Sequence, residues 1–293
     1  MAILIENGSI QVKINELGAE LTSVVNQATG IEYIWQGDPK IWGRHAPNLF
    51  PIVGRLHGDT YRYAGKDYHL TQHGFARDSE FEVIEQSETA VRLRLTDSKE
   101  TRQIYPFKFQ FDVVFSLDTE DSLEVQYVVT NLDQKELYFS VGGHPGINLP
   151  LQAGQTFNDY LVNITPAKEF GRKVLSGPFV DFAKDTTFDA SVALPVRRSD
   201  YQNDAIILEL KQEPISIEVT DQKHEHGVMV DIQNAQYAGI WTKADVEAPF
   251  LCVEPWWGIA DTVDASGDLT DKLGINHLQP TETMQGIYAL TFF

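Results

Sequence analysis

The chain has 293 residues, with 42 acidic against 23 basic side chains and a formal net charge of −19. That balance repels polyanions, so nucleic acid and anionic membrane surfaces are excluded as natural partners, and no run of about 18 apolar residues is present to cross a bilayer. The single cysteine, Cys252, rules out an internal disulfide, and the first residues, Met-Ala-Ile-Leu-Ile-Glu-Asn-Gly, lack the basic and apolar regions of a signal peptide. The expected setting is the cytoplasm.

Along the chain the hydrophobic pattern is that of strands. Asn7-Gly8 marks a hairpin turn before the alternating Ile10, Val12 and Ile14. Asp38 to Gly43 suggests a short helical turn. Pro51-Ile52-Val53-Gly54-Arg55 reads as a strand reaching a glycine before a charge. Val91, Leu93 and Leu95 alternate with arginines. Lys99 to Tyr105 suggests a second helical turn, followed by alternation over Phe107, Phe109, Phe111 and Val113. Asp118 to Asp121 is turn-like, and Leu123, Val125 and Tyr127 follow it. Gly154 to Asn203, with Pro166, Pro178 and Pro195, reads as a long irregular excursion, either a binding loop or a cover over a sheet end. Further strands are expected at Ala205 to Leu210, Ile215 to Val219, Val228 to Ile232, Phe250 to Val253 and Gly286 to Phe293. A period of two with frequent turns means an all-β chain, a large sandwich of antiparallel sheets. No linker or repeat divides it, so residues 1–293 read as one domain.

Three segments carry acid/base residues beside glycines, prolines or aromatics: Gln72-His73-Gly74-Phe75-Ala76-Arg77, Gly142-Gly143-His144-Pro145 and Val253-Glu254-Pro255-Trp256-Trp257. Glu254 shares a strand face with Cys252, while Leu251 and Val253 face the core. Pro255 has no N–H to donate, so strand pairing should stop there and leave Glu254 at a strand end. The plain alternative is a solvent-facing strand glutamate. Gly142 lies on the face of His144 and should leave an opening beside the imidazole. The alternative is a histidine capping a strand. His73 alone would be an ordinary turn histidine. Arg77 and Arg55 suit an anion or a pair of hydroxyls, against the plain reading of surface ion pairs. Trp256 and Trp257 offer flat apolar faces.

Two imidazoles and a carboxylate move protons near neutral pH without a metal or cofactor, and a sugar suits that mix of polar and apolar groups. His224-Glu225-His226 lies in a polar turn with no third ligand at a recognisable spacing, so no metal is expected. Neither a nucleotide-binding glycine loop nor a G-x-S-x-G elbow is present.

These pieces, in order, resemble the aldose 1-epimerases, or galactose mutarotases, and within them the bacterial mutarotase-related proteins. The resemblance runs through Gly54-Arg55-Leu56 with Tyr61, His73-Gly74, Tyr105-Pro106-Phe107-Lys108-Phe109, Val125 to Asn131, Gly143-His144-Pro145 and Glu254. It implies a single galactose mutarotase-like β-sandwich with an open sugar cleft and no cofactor. It also implies Glu254 as base, His144 as acid, His73 as an assisting group, and Arg55 and Asp204 as sugar-binding residues. Two positions depart from mutarotases acting on free hexoses. Gly54 stands where asparagine is common, and Phe75 follows Gly74 where a second glycine is usual. His73-Gly74-Phe75-Ala76-Arg77 is similar instead to the hexose-6-phosphate 1-epimerases, in which nearby arginines bind phosphate, and Arg44 points the same way. The expected partner is a small-molecule hexose, and a neutral one is favoured. The competing readings are a phosphorylated hexose, for which Arg44, Arg55 and Arg77 should converge, and a non-catalytic carbohydrate-binding protein.

Overall fold

The computed structural model describes residues 2–117 and 119–293, and it is built of antiparallel strands with only short helical turns. Two large sheets dominate. One has nine strands in the order Leu194–Pro195, Tyr160–Thr165, Ile215–Asp221, Gly227–Ile232, Thr283–Phe292, Ser122–Asn131, Phe109–Ser116, Ala90–Thr96 and Glu82–Gln86. The other runs Thr186–Asp189, Glu169–Lys173, Ile206–Glu209, Tyr237–Trp241, Phe250–Trp257, Val141–Gly143 and Asn48–Leu49, with Gly146–Asn148 also paired to Phe250–Trp257. A three-stranded sheet from the N-terminal segment joins them.

The alternation seen in the sequence explains the packing. In Ser122–Asn131 every second residue, from Leu123 to Asn131, is buried. Its Val125 and Tyr127 meet, within one continuous apolar core, Leu251 and Val253 from the facing sheet. Side chains alternate across a strand, so each sheet gives one face to this core and frees the other. Phe50 anchors an aromatic cluster, its ring centroid 4.7 Å from that of Phe111 and 5.0 Å from that of Phe109. One buried amide inside is fully paired. Asn48 donates to the carbonyls of Gly18 (2.9 Å) and Ala19 (2.7 Å) and accepts from the Tyr127 hydroxyl at 2.7 Å.

Several expectations need correction. Gly154 to Asn203 is not irregular: it supplies Tyr160–Thr165 to one sheet and Glu169–Lys173 and Thr186–Asp189 to the other. Its prolines sit at strand ends and in turns, where the polar composition hid short strands. Residues 38–43 form a single turn, closed by Asp38 O accepting from Trp42 N at 2.8 Å. Residues 51–55 are not a strand, and the strand expected from Phe107 begins at Phe109. The second helical turn is present as Thr101–Ile104. Of the turn at 118–121, Asp118 lies outside the described residues. Pairing also continues past Pro255, which faces Ala238 on the neighbouring strand. On its other side lies the break between Val141–Gly143 and Gly146–Asn148, where no continuous ladder requires its missing N–H.

Candidate active site

The strand Phe250–Trp257 organises the site. Val141–Gly143 and Gly146–Asn148 both pair with it, Gly142 opposite Trp256 and Gly146 opposite Cys252. The two pairings keep one register, so His144, between them, falls opposite Glu254. Directly opposed residues put their side chains on the same face. His144 Nε2 lies 3.1 Å from Glu254 Oε2. On the other side Glu254 is opposed by Gly239, which leaves the carboxylate unobstructed. Glu254 is only 1% exposed, so it is neither a solvent-facing strand residue nor at a strand end.

His73 arrives from a tight turn in the left-handed region, with φ of 67° at His73 and 70° at Gly74. A Cβ on Gly74 would stand 2.3 Å from the Phe50 carbonyl oxygen, so only glycine fits. His73 N donates to Gly54 O at 2.9 Å, and Gly54 N donates to His73 Nδ1 at 3.2 Å. Because Nδ1 accepts, a neutral His73 carries its proton on Nε2. The two imidazoles stand edge to face, with centroids 5.8 Å apart.

Together these residues line one cavity of about 250 Å³. Sites for drug-sized ligands start near ~300 Å³, so this one suits a single small molecule. Arg55, Arg77, Asp204 and Trp256 line it as well. Arg55 donates to Gln72 Oε1 at 3.0 Å, and Arg77 donates to the Gln72 carbonyl at 2.7 Å. Asp204, exposed and with φ of 74°, stands at the rim. Trp256 lies flat over two glycines: a Cβ on Gly142 would come within 2.9 Å of its ring, and one on Gly239 within 2.8 Å. The opening expected beside His144 is therefore filled by an indole. Trp257 is different. Period two turns it into the main core, where Nε1 donates to Asn234 Oδ1 at 3.0 Å and the ring meets Tyr127 edge-on. It does not reach the cavity, so it is removed from the sugar-facing residues.

Sequence reasoning missed two cavity-lining tryptophans. Trp42 sits 5.0 Å from the His144 ring, tilted by 33°, and Trp241 meets it edge-on at 5.6 Å. Trp241 shares a strand face with Gly239, opposite Glu254, and that alternation was the available signal. Trp42 lies in a turn with no periodicity to mark it.

Burial sets the electrostatics. It drives the His144 pKa down to about 3 and pushes that of Glu254 well up, with the charge of Asp204 adding to the latter. A neutral imidazole beside a carboxylic acid holds one proton, as an imidazolium beside a carboxylate does. The pair thus keeps one proton and can move it across the 3.1 Å contact. Burial, then the positive charges around it, also hold His73 well below the usual histidine range, so it stays neutral. Burial followed by Arg44 lowers Arg77, with Arg55 also contributing. Arg55 and Arg77 line the cavity, and Arg44, outside its lining, donates to the Arg77 carbonyl at 3.1 Å. Among the described residues, one group of donors close enough for a metal ion is His144, Cys252 and Glu254. His224 and His226 belong to no such group.

The three acid/base residues converge, which a non-catalytic binding protein would not require. The family model for aldose 1-epimerase matches residues 1–272. A galactose mutarotase related enzyme from Lactobacillus acidophilus superposes with a TM-score of 0.98 at 40% identity, covering 100% of this chain and 97% of that one. A galactose mutarotase-like protein from Lactobacillus casei superposes with a TM-score of 0.90 at 34% identity, covering 100% of both chains. The protein LacX (chromosomal) of Lactococcus lactis is 29% identical over 300 residues, 99% of each chain. With its antiparallel sandwich and one cavity holding two histidines and a glutamate, this chain belongs to the aldose 1-epimerase family of isomerases.

Proposed function

We propose that the protein interconverts the α and β anomers of a neutral hexose in the cytoplasm, with residues 1–293 acting as one domain. Glu254 in its carboxylate form takes the proton of the C1 hydroxyl. His144 as imidazolium gives a proton to the ring oxygen, and the C1–O5 bond opens to the aldehyde. Rotation about C1–C2 turns the other carbonyl face to O5. Ring closure then runs the transfers backwards, with His144 taking the O5 proton and Glu254 returning one to O1. The reactive state of the pair arises when the shared proton sits on His144. His73, neutral with its proton on Nε2, donates a hydrogen bond to a sugar oxygen as charge develops. No electrons change hands, so the reaction asks for no redox cofactor.

The observation that carries this reading is the 3.1 Å opposition of His144 and Glu254 in a small cavity with His73 beside them. Trp256 offers an apolar face for the C–H side of a pyranose, and Arg55 and Asp204 offer partners for its hydroxyls. A phosphorylated hexose is the second reading, favoured by Arg55 and Arg77 in the cavity wall, with Arg44 against the Arg77 carbonyl. Against it, Arg44 is already committed to Asp78 at 2.7 Å, and Asp204 adds negative charge at the rim. Polarimetry or NMR exchange on galactose, glucose and glucose 6-phosphate tests the choice. Turnover of the free sugars is expected. Much faster turnover of the phosphorylated sugar, abolished by Arg77→Ala, would replace the substrate and leave the acid/base chemistry standing.

A further inference from the structure

We propose that His144, Cys252 and Glu254 form a binding site for a soft divalent cation, zinc(II) in particular, whose occupation stops the proton relay. The inhibitory effect rests on the roles assigned to His144 and Glu254 above, whereas the site itself does not. One donor atom from each residue lies within 4.8 Å of the others, and His144 Nε2 and Glu254 Oε2 are already 3.1 Å apart. With Zn–N and Zn–O near 2.0 Å and Zn–S near 2.3 Å, these donors around a tetrahedral zinc would stand about 3.3–3.5 Å apart. Closure therefore asks for about 1 Å of movement, within reach of a turn of the cysteine side chain and the carboxylate.

Two further observations point the same way. Beyond its 3.1 Å contact with His144 Nε2, buried Glu254 Oε2 makes no hydrogen bond, which leaves a lone pair for a cation. Cys252 also has no place in the anomerisation. Its neighbours are Trp35, Ala248 and Phe250, and burial followed by the Glu254 charge keeps its thiol protonated. It shares a strand face with Glu254 two residues away, so the backbone aims a sulfur donor at the acid/base pair. Nitrogen, sulfur and oxygen donors together suit zinc rather than magnesium or calcium. Three protein donors leave the fourth tetrahedral position for water or a sugar hydroxyl from the cavity. Binding expels the thiol proton and the proton held by the pair to solvent, and it occupies the lone pairs that the reaction needs.

The test uses the whole chain, freed of metal with EDTA. Zinc chloride is titrated against anomerisation of galactose, and cobalt(II) serves as an optical probe of thiolate ligation. Zinc at micromolar levels should cut the rate at least tenfold, with EDTA restoring it. Cobalt should give thiolate-to-metal charge-transfer absorption in the near ultraviolet. Cys252→Ala and Cys252→Ser should keep the uninhibited rate, raise the zinc midpoint at least tenfold and lose the cobalt band. Absence of that band in the unsubstituted protein overturns the site even if anomerisation is undetectable. Equal zinc sensitivity in the Cys252 variants overturns the role of the thiol. If neither variant folds, the cobalt spectrum of the unsubstituted protein alone decides.

Discussion

Replacing Glu254 with glutamine keeps the shape of the side chain and removes the proton acceptor. Loss of general-base catalysis costs about 10²-fold or more, near 2.7 kcal/mol in the barrier. The same change should leave a signature in stability, because it alters how many protons the folded site holds. In the folded protein the His144–Glu254 pair keeps one proton. In the unfolded chain the glutamate titrates near pH 4.3 and the histidine near 6.5. Between those values both states hold one proton, and the pair adds no pH dependence. Above about 6.5 the unfolded chain loses its proton, and until the raised Glu254 carboxyl of the folded pair titrates, stability falls by about 1.4 kcal/mol per pH unit. In Glu254→Gln the raised carboxyl is gone, and the remaining His144, with its pKa lowered to about 3, is neutral when folded. Stability then rises with pH up to about 6.5 and levels off. Relative to the unsubstituted protein, the variant's stability should therefore climb steadily with pH, by about 1.4 kcal/mol per unit on both sides of 6.5. For a chain of this size each kcal/mol moves Tm by about 2 °C. Thermal melts from pH 5 to 9 beside polarimetry check both effects. Parallel melting curves for the two proteins would refute the shared proton, and an unchanged anomerisation rate would place the base elsewhere.

His144→Asn should lose activity to a similar extent, and the double variant with Glu254→Gln should be little worse than either alone, since both groups serve one transition state. Additive losses in steady-state rates would separate their roles. Trp42→Leu removes an aromatic face 5.0 Å from His144 that favours the imidazolium by about 0.5–2 kcal/mol. Its kcat should fall about 2- to 30-fold, with Trp42→Phe recovering part of the loss. Equal rates for Leu and Phe would show that the ring face does not matter. Gly142→Ala drives a methyl within 2.9 Å of the Trp256 ring, which is held on its far side by Gly239. A cost of about 1–3 kcal/mol is expected in denaturant unfolding, with a raised KM from the displaced indole.

The sandwich was legible because strands with one buried face write their alternation into the chain. Phe109–Ser116, Ala90–Thr96 and Ser122–Asn131 were readable for this reason. Glu254, His144 and His73 were legible because glycine, proline and aromatics cluster around each. What remained hidden depended on who sits across the strand. Gly142 reads the same whether a ligand or Trp256 fills the space above it. Pro255 signals the end of pairing unless the neighbouring strand is itself broken at His144-Pro145. Trp257 looks like its neighbour Trp256, yet one step along the strand carries it from the cavity into the core. The short strands between Gly154 and Asn203 lacked the length for alternation to stand out. Trp42 reached the cavity through a turn that carries no period at all.

The single register shared by the two short strands on either side of His144 also bears on how this site could diversify. The proposed acid and base are spaced by main-chain pairing, whereas the proposed sugar-binding residues Arg55, Arg77 and Asp204 approach from separate segments outside the regular strands. Insertions or exchanges in those segments can reshape which sugar is accepted without altering the distance between proton donor and acceptor. A scaffold divided in this way can give rise to lineages with different substrates and one inherited reaction.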